Sequence, residues 1–329
     1  MIIETFLPDR IVTNQELEKE FPEWSADKIR QKVGILSRHV ASEGETPLDL
    51  AEKACRRLFD SNPWIKDAID YLLFCTQNPD HILPGNSSIL QNRLALPTSI
   101  GALDYNLGCS GFVYGLSLAK GLLSSRIAKG VLLVTAEAYT KRINPKDKGN
   151  RSIFGDAAAA TFLTENDVRT IGEFVLGTDG SGADNLIIRN GGLRCPQGSD
   201  EEKVYGSGNI YTDQHLFMDG PEIFNFTIDV VPSMIRQTLE KNQLGMDDIK
   251  MFVLHQANSY ILNFLRKIMR IPEDRFYLNM ENTGNTVSST IPIALADLFH
   301  SVRLQVGDKV LIAGFGVGYS FGATVLTIS

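Results

Sequence analysis

One residue of this chain stands out for covalent chemistry at a carbonyl carbon, Cys109. Cys109 follows the strand-like run IGALDYN and opens a helical pattern, with Phe112, Val113, Leu116 and Leu123 as its apolar positions. Gly111, Gly115 and Ala119 keep that helix slim enough for close packing. A sulfur at a helix start meets unpaired amides and the positive end of the macrodipole. Both favour the thiolate over a thiol whose reference pKa is roughly 8.5, and the same amides can cradle an oxyanion. The competing reading of a lone cysteine is a small buried hydrophobe. That reading suits Cys55 on an amphipathic helix, Cys75 in a strand and Cys195 in a loop. His255 follows the apolar run MFVL, and Asn285 lies in NTGNT, 30 residues further on. Singly, a histidine after a strand is ordinarily a hydrogen-bonded core residue and NTG a turn.

The elements that must position these residues recur. Short runs rich in Val, Ile, Leu and Phe alternate with helical patterns, as in an α/β protein with largely buried strands. DAIDYLLFCTQN (67–78) resembles MDDIKMFVLHQAN (246–258), and FGDAAAATFL (154–163) resembles FGATVLTI (321–328). Between them, LDYNLGCSGFVYGLSLAKGLL in the first half answers YLNMENTGNTVSSTIPIALADLF in the second. Repetition at half-chain period points to duplication. The boundary is expected near Glu165, giving halves 1–165 with the cysteine and 166–329 with the histidine and asparagine. Gly177 to Asn209 reads as a long surface excursion.

Composition narrows the classes. The chain has 329 residues, 43% hydrophobic and 22% charged, enough for a large core. A net charge of -7 argues against a nucleic-acid surface, which needs a concentrated Lys/Arg footprint. The four cysteines lack metal-ligand spacing and are too sparse to staple a chain of this size, so reduced thiols and no metal are expected. No run approaches 18 apolar residues, and MIIETFLPDR has no signal-peptide pattern, so the expectation is a cytoplasmic protein with no membrane partner.

Taken in order, CSGFVYGL, IFGDAAAA, HLFMDGPEIF, VLHQAN, NTGNTVSSTIP and GFGVGYSFG make the chain resemble the β-ketoacyl-acyl carrier protein synthase III family over almost its whole length. The resemblance implies a thiolase-like fold, two duplicated βαβαβ-type halves packed as a five-layer α-β-α-β-α sandwich. It implies that Cys109 carries an acyl primer, and that His255 and Asn285 hydrogen-bond the thioester carbonyl of a malonyl extender. Decarboxylation leaves an enolate whose oxygen needs preorganised donors, which a neutral imidazole and a carboxamide provide. The backbone amides of Cys109 and Val317 would bind the tetrahedral oxyanions. Phe224 and Asn258 would line the pantetheine tunnel, with Lys148 standing where an Arg is common. Leu83 would reach across a homodimer interface to floor the acyl pocket. Arg266, Lys267 and Arg270 of NFLRKIMR offer a positive patch for an acidic acyl carrier. The implied partners are malonyl-acyl carrier protein and an acyl-CoA or acyl carrier donor, with no separate cofactor.

The chain departs from the family pattern where many acetyl-CoA-using members grip the nucleotide. Lys28 and Lys32 replace a Trp and an Arg, Tyr260 replaces an Arg, Phe321 replaces the Trp of the last motif, and the N-terminal strand is shortened to IIETFLP. A missing adenine platform, unless another aromatic such as Trp24 takes its place, predicts a preference for longer acyl or carrier-borne primers.

Other classes fit less well. Papain-like cysteine hydrolases share the Cys, His, Asn order, yet Cys109 lies mid-chain without their CGSCW context. A degradative thiolase needs a second cysteine in GFGVGYSFGATVL, which has none. Type III polyketide synthases run longer, and a non-catalytic partner subunit would have no reason to keep all three residues.

Overall fold

The computed structural model describes residues 1–302 and 304–329. Two mixed sheets hold the chain together. The first contains β1 (Ile2–Phe6), β2 (Tyr71–Cys75), β3 (Gly101–Tyr105), β4 (Gly130–Glu137) and β5 (Ala157–Thr164), in the order β1-β5-β4-β2-β3. The second contains β6 (Val175–Thr178), β7 (Met251–Leu254), β8 (Lys309–Gly316) and β9 (Ser320–Thr327), in the order β7-β8-β9-β6. In both, a parallel pair (β2 with β4, β7 with β8) is followed by two antiparallel neighbours. The matched sequence pairs fall on equivalent strands, β2 with β7 and β5 with β9. The counterpart of β3 is reduced to a single parallel bridge between Phe252 and Phe276.

Burial explains why these strands read as unbroken apolar runs: both sheets are covered on both faces. Between them lies a middle layer of two helices, α2 (Gly111–Ser124) and α5 (Thr290–Ser301). Their Phe112, Leu116, Ile291 and Leu295 pack against Leu73 and Leu133 of one sheet and Val253 and Ile312 of the other. Alternation along each strand sends the next residues outward. Leu72, Phe74 and Val134 meet α1 (Pro47–Ser61), and Phe252, Leu254 and Leu311 meet α3 (Gly220–Lys241) and α4 (Ser259–Ile268). The result is the expected five-layer sandwich.

The middle helices matter most for chemistry, because each begins at a loop that ends near the centre of the molecule. Cys109 stands two residues before α2, and Asn285 stands in the loop before α5. All four cysteines are free, and no described helix is long and apolar enough to cross a membrane.

Candidate active site

Cys109, His255 and Asn285 meet in one cavity of about 400 Å³, although they come from different elements far apart in sequence. Its wall is mostly apolar, with Phe154, Leu186, Met218, Ile223 and Phe315. Three polar groups in such a wall are costly to bury unless each is oriented by a neighbour.

Cys109 is held by contact between backbones. A Cβ placed on Gly316 would come within 2.8 Å of both the Cβ and the Sγ of Cys109, and one on Gly314 within 2.7 Å of the Cys109 carbonyl oxygen. Strand β8 of the second half therefore touches the Cys109 loop of the first because it has no side chains there. The Ser110 and Ser320 hydroxyls, 2.6 Å apart, tie the same two segments, and Ser320 Oγ also donates to the Val317 carbonyl at 2.9 Å.

The thiol does not rest as a thiolate, contrary to the expectation from its helix-start position. Burial and the nearby Glu137 carboxyl push it up to about 12, against the opposing pull of the Cys109 and Val317 backbone amides. Those are the two amides expected to form the oxyanion hole. Desolvation outweighs two amide dipoles at a site only 7% exposed.

His255 directly follows β7, and its backbone N–H is bonded to the Ala313 carbonyl at 2.7 Å. Its ring is buried, meets Phe315 edge-on with centroids 5.7 Å apart, and places Nδ1 2.7 Å from Thr290 Oγ1. Burial alone lowers its pKa to about 3, so the ring is neutral at physiological pH. Asn285 is anchored through its backbone: its N–H donates to Ile153 O at 2.9 Å and its carbonyl accepts from Gly155 N at 3.0 Å. Its Oδ1 accepts the Val287 N–H at 2.9 Å, which turns the Nδ2 amide toward the cavity. The site is thus a neutral thiol facing two neutral side chains.

Comparison with known proteins now bears on this arrangement. Residues 103–180 match the family model for 3-oxoacyl-[acyl-carrier-protein (ACP)] synthase III, and residues 239–328 match that for its C terminal. A β-ketoacyl-[acyl-carrier-protein] synthase III of Clostridium perfringens is 32% identical over 98% of this chain and 97% of its own length. The chain belongs to the 3-oxoacyl-[acyl-carrier-protein] synthase III family. Among solved structures, a 3-oxoacyl-(acyl-carrier-protein) synthase III crystal structure is 45% identical with a TM-score of 0.96, covering 99% of this chain and 98% of that one. The synthase III of Thermus thermophilus is 32% identical with a TM-score of 0.88, at the same coverages. The chain is an acyltransferase of this family, and the hydrolase and non-catalytic readings fall away.

The remaining expected site residues of this synthase fall on two sides. Phe224, on α3, lines the cavity and packs on Phe264 and Tyr260 at 5.2 and 5.9 Å between centroids. Asn258 lines it too, while its Oδ1 caps α4 by accepting from Ile261 N at 2.9 Å. Lys148 turns away and pairs with Glu23 at 2.8 Å, leaving its neighbour Gly149 at the cavity wall. Leu83 is 80% exposed and stands outside the cavity of a single chain. Of the basic patch, Lys267 and Arg270 are exposed. Arg266 is committed locally: it bonds Asn263 and the Ile271 carbonyl and pairs with Glu273.

Aromatic surface is nevertheless present in the cavity wall, from Trp24, the alternative named above, and from Tyr260. Lys28 folds back onto the Glu23 carbonyl at 3.1 Å, but Trp24 and Tyr260 both line the opening, and Lys32 Nζ lies 5.2 Å over the Trp24 ring. Two buried groups went unread in the sequence, Thr290 and Glu137. The second is fully buried at the end of β4 and accepts from Asn78 Nδ2, Gln77 N and Ser288 Oγ at 3.0, 3.1 and 3.3 Å. An acid closing the run GVLLVTA was the one available signal. Among the described residues, no group of three or more His, Cys, Asp or Glu could hold a metal ion.

Two predictions follow from this geometry. Gly316→Ala should displace the Cys109 sulfur and slow its acylation by about 100-fold while the thermal melt remains cooperative; acylation at the wild-type rate would show that the contact is not limiting. Glu137, pushed by burial from 4.5 up to about 8, is held protonated in the fold. Its stabilising contribution is therefore complete below pH 4.5 and is lost as pH rises through 8. Glu137→Gln should lose less stability than wild type between pH 5 and 8.5 in denaturant titrations. It should also shift the alkylation profile of Cys109 to lower pH. Parallel stability profiles would contradict the buried neutral carboxyl.

Proposed function

We propose that this enzyme joins an acyl primer held as a thioester on Cys109 to malonyl-acyl carrier protein, yielding a 3-oxoacyl-acyl carrier protein and CO2. The observation that carries this reading is the convergence of Cys109, His255 and Asn285 on one apolar-walled cavity with the imidazole kept neutral. In the first half-reaction the Cys109 sulfur attacks the donor thioester, and the thiol proton leaves with the departing thiol. In the second, the malonyl carboxylate departs as CO2 and its bonding electrons pass to the thioester as an enolate. The imidazole and the Asn285 Nδ2 amide donate to the enolate oxygen. The enolate carbon then attacks the acyl carbon, and the Cys109 thiolate is expelled and takes a proton from solvent. At both tetrahedral stages the amides of Cys109 and Val317 receive the oxyanion.

The pantetheine arm is read along Phe224 and Asn258. An acidic carrier is read as docking on exposed Lys267 and Arg270, with Arg266 supporting the end of its own helix. Lys148 is read as fastening the mouth through Glu23. The halves are taken as 1–165 and 166–329, since the last strand of the first sheet ends at Thr164 and the second sheet begins at Val175. A homodimer is supported by the edge strand β3, which exposes Ala102 and Leu103, and by the neighbouring Ile82 and Leu83. Leu83 would then floor the partner's acyl pocket.

Lys32 covers a face of the Trp24 ring, which leaves Tyr260 as the open aromatic surface for a nucleotide. Binding energy would come mainly from the pantetheine arm and the acyl chain, favouring primers longer than acetyl. Steady-state priming assays should therefore give acetyl-CoA a lower kcat/KM than longer acyl-CoAs or acyl carriers, and the reverse ranking would refute the preference. The division of labour has its own check. Intact-mass analysis should find the acyl adduct retained in His255→Ala and Asn285→Ala and absent in Cys109→Ala, while both former variants lose malonyl decarboxylation by about 100-fold or more. Equal loss of both half-reactions in His255→Ala and Asn285→Ala would overturn the assignment.

A further inference from the structure

The donor role proposed for His255 needs a proton on the nitrogen that faces the cavity, and a neutral imidazole carries only one. Nδ1 is taken up by Thr290 Oγ1 at 2.7 Å, so the nitrogen left for substrate is Nε2. Thr290 Oγ1 has a single hydrogen and two acceptors within reach, His255 Nδ1 at 2.7 Å and the Val287 carbonyl at 3.0 Å. The destination of that hydrogen decides the tautomer. If it points at Val287, Nδ1 must hold the ring proton and Nε2 offers a lone pair, which repels an enolate. If it points at Nδ1, the ring proton sits on Nε2 and becomes a donor.

The competition is uneven. The Val287 carbonyl already accepts the backbone N–H of Thr290, so it does not depend on the hydroxyl. Nδ1 has Thr290 as its one hydrogen-bond partner among the described residues and also lies closer. With the ring proton on Nδ1 the same bond would run the other way and turn the Nε2 lone pair toward the enolate oxygen, so the donor role selects the arrangement in which the hydroxyl points at Nδ1. We propose that the Thr290 hydroxyl donates to His255 Nδ1 and so fixes the Nε2–H tautomer, making Thr290 the positioning residue for the decarboxylation half-reaction.

The same turn sets the other donor. Val287 is a buried β-branched residue held at φ +55°, in the left-handed region. In that conformation its N–H meets Asn285 Oδ1 and its carbonyl meets Thr290. The flanking hydroxyls fasten the turn to β4: Ser288 Oγ to Glu137 at 3.3 Å and Ser289 Oγ to the Thr135 carbonyl at 3.1 Å. One strained turn therefore presets an amide and an imidazole for the same oxygen.

This inference rests on the proposed role of His255 as an enolate donor, and the test separates the two. In wild-type protein with ring-¹⁵N histidine, the His255 signal, assigned by its loss in His255→Gln, should show the proton on Nε2. A proton on Nδ1 would overturn the inference whatever the kinetics. Thr290→Val, close to isosteric, should lower malonyl decarboxylation by about 10²-fold, leave Cys109 acylation by intact mass unchanged, and release the ring proton from Nε2 to a mixture of the two tautomers. Thr290→Ser should restore the rate and the tautomer. Wild-type decarboxylation in Thr290→Val would also overturn the inference. Wild-type decarboxylation in His255→Ala would instead remove the donor role itself, while the nitrogen shifts would still report whether Thr290 sets the ring.

Discussion

Everything at this site depends on a contact in which one side has no side chain. A strand and the helical layer packed on it would ordinarily stand about 10 Å apart, the spacing of adjacent packed layers. At Gly314 and Gly316 strand β8 loses that spacing and lies directly against the backbone of Cys109 and Ser110. Only there can an amide of the second half, that of Val317, reach the sulfur of the first. The cavity that holds Cys109, His255 and Asn285 exists because the halves touch at this point and part around it.

A second theme is the avoidance of charge. The thiol, the imidazole and the carboxyl of Glu137 are each shifted by burial toward their uncharged forms. A cation beside the cysteine would stabilise its thiolate, but it would equally hold the malonyl carboxylate in place and oppose its loss as CO2. In the proposed mechanism, neutral dipoles oriented by fixed hydrogen bonds would favour the charge only once it arrives on the enolate oxygen. The apolar wall strengthens those dipoles by excluding water.

The sequence made the architecture legible because fully buried strands leave continuous apolar runs, and because β2 and β7, or β5 and β9, keep matching residues at matching places. The meeting of Cys109, His255 and Asn285 in one cavity follows from the same pattern, His255 coming directly after β7 and the other two standing in the loops before the middle helices. What stayed hidden depends on approach between distant segments. Nothing in NTVSSTIP says that Thr290 points at a ring 35 residues earlier. The helix start at Cys109 was visible, but its depth and its neighbour Glu137 were not, so the thiol was expected to be more acidic than it is. Lys148 and Arg266 are long side chains whose ends are settled by whichever acceptor lies nearest, Glu23 in one case and the Ile271 carbonyl in the other. Trp24 reaches the mouth only because the helix Ala26–Val33 docks beside α4.

The reduction of one strand to the Phe252–Phe276 bridge bears on how such a chain can assemble. Duplication alone would leave a matching open edge at this side of each half, β3 in the first and its counterpart in the second. A molecule with two equivalent adhesive edges is a link in a filament, since every copy added exposes another edge for the next. With one edge kept and the other pared to a single bridge, a homodimer paired through β3 about a twofold axis would consume the edge it uses, and growth would stop at two. In such a dimer the asymmetry between the halves would serve as a stop signal written in hydrogen bonds.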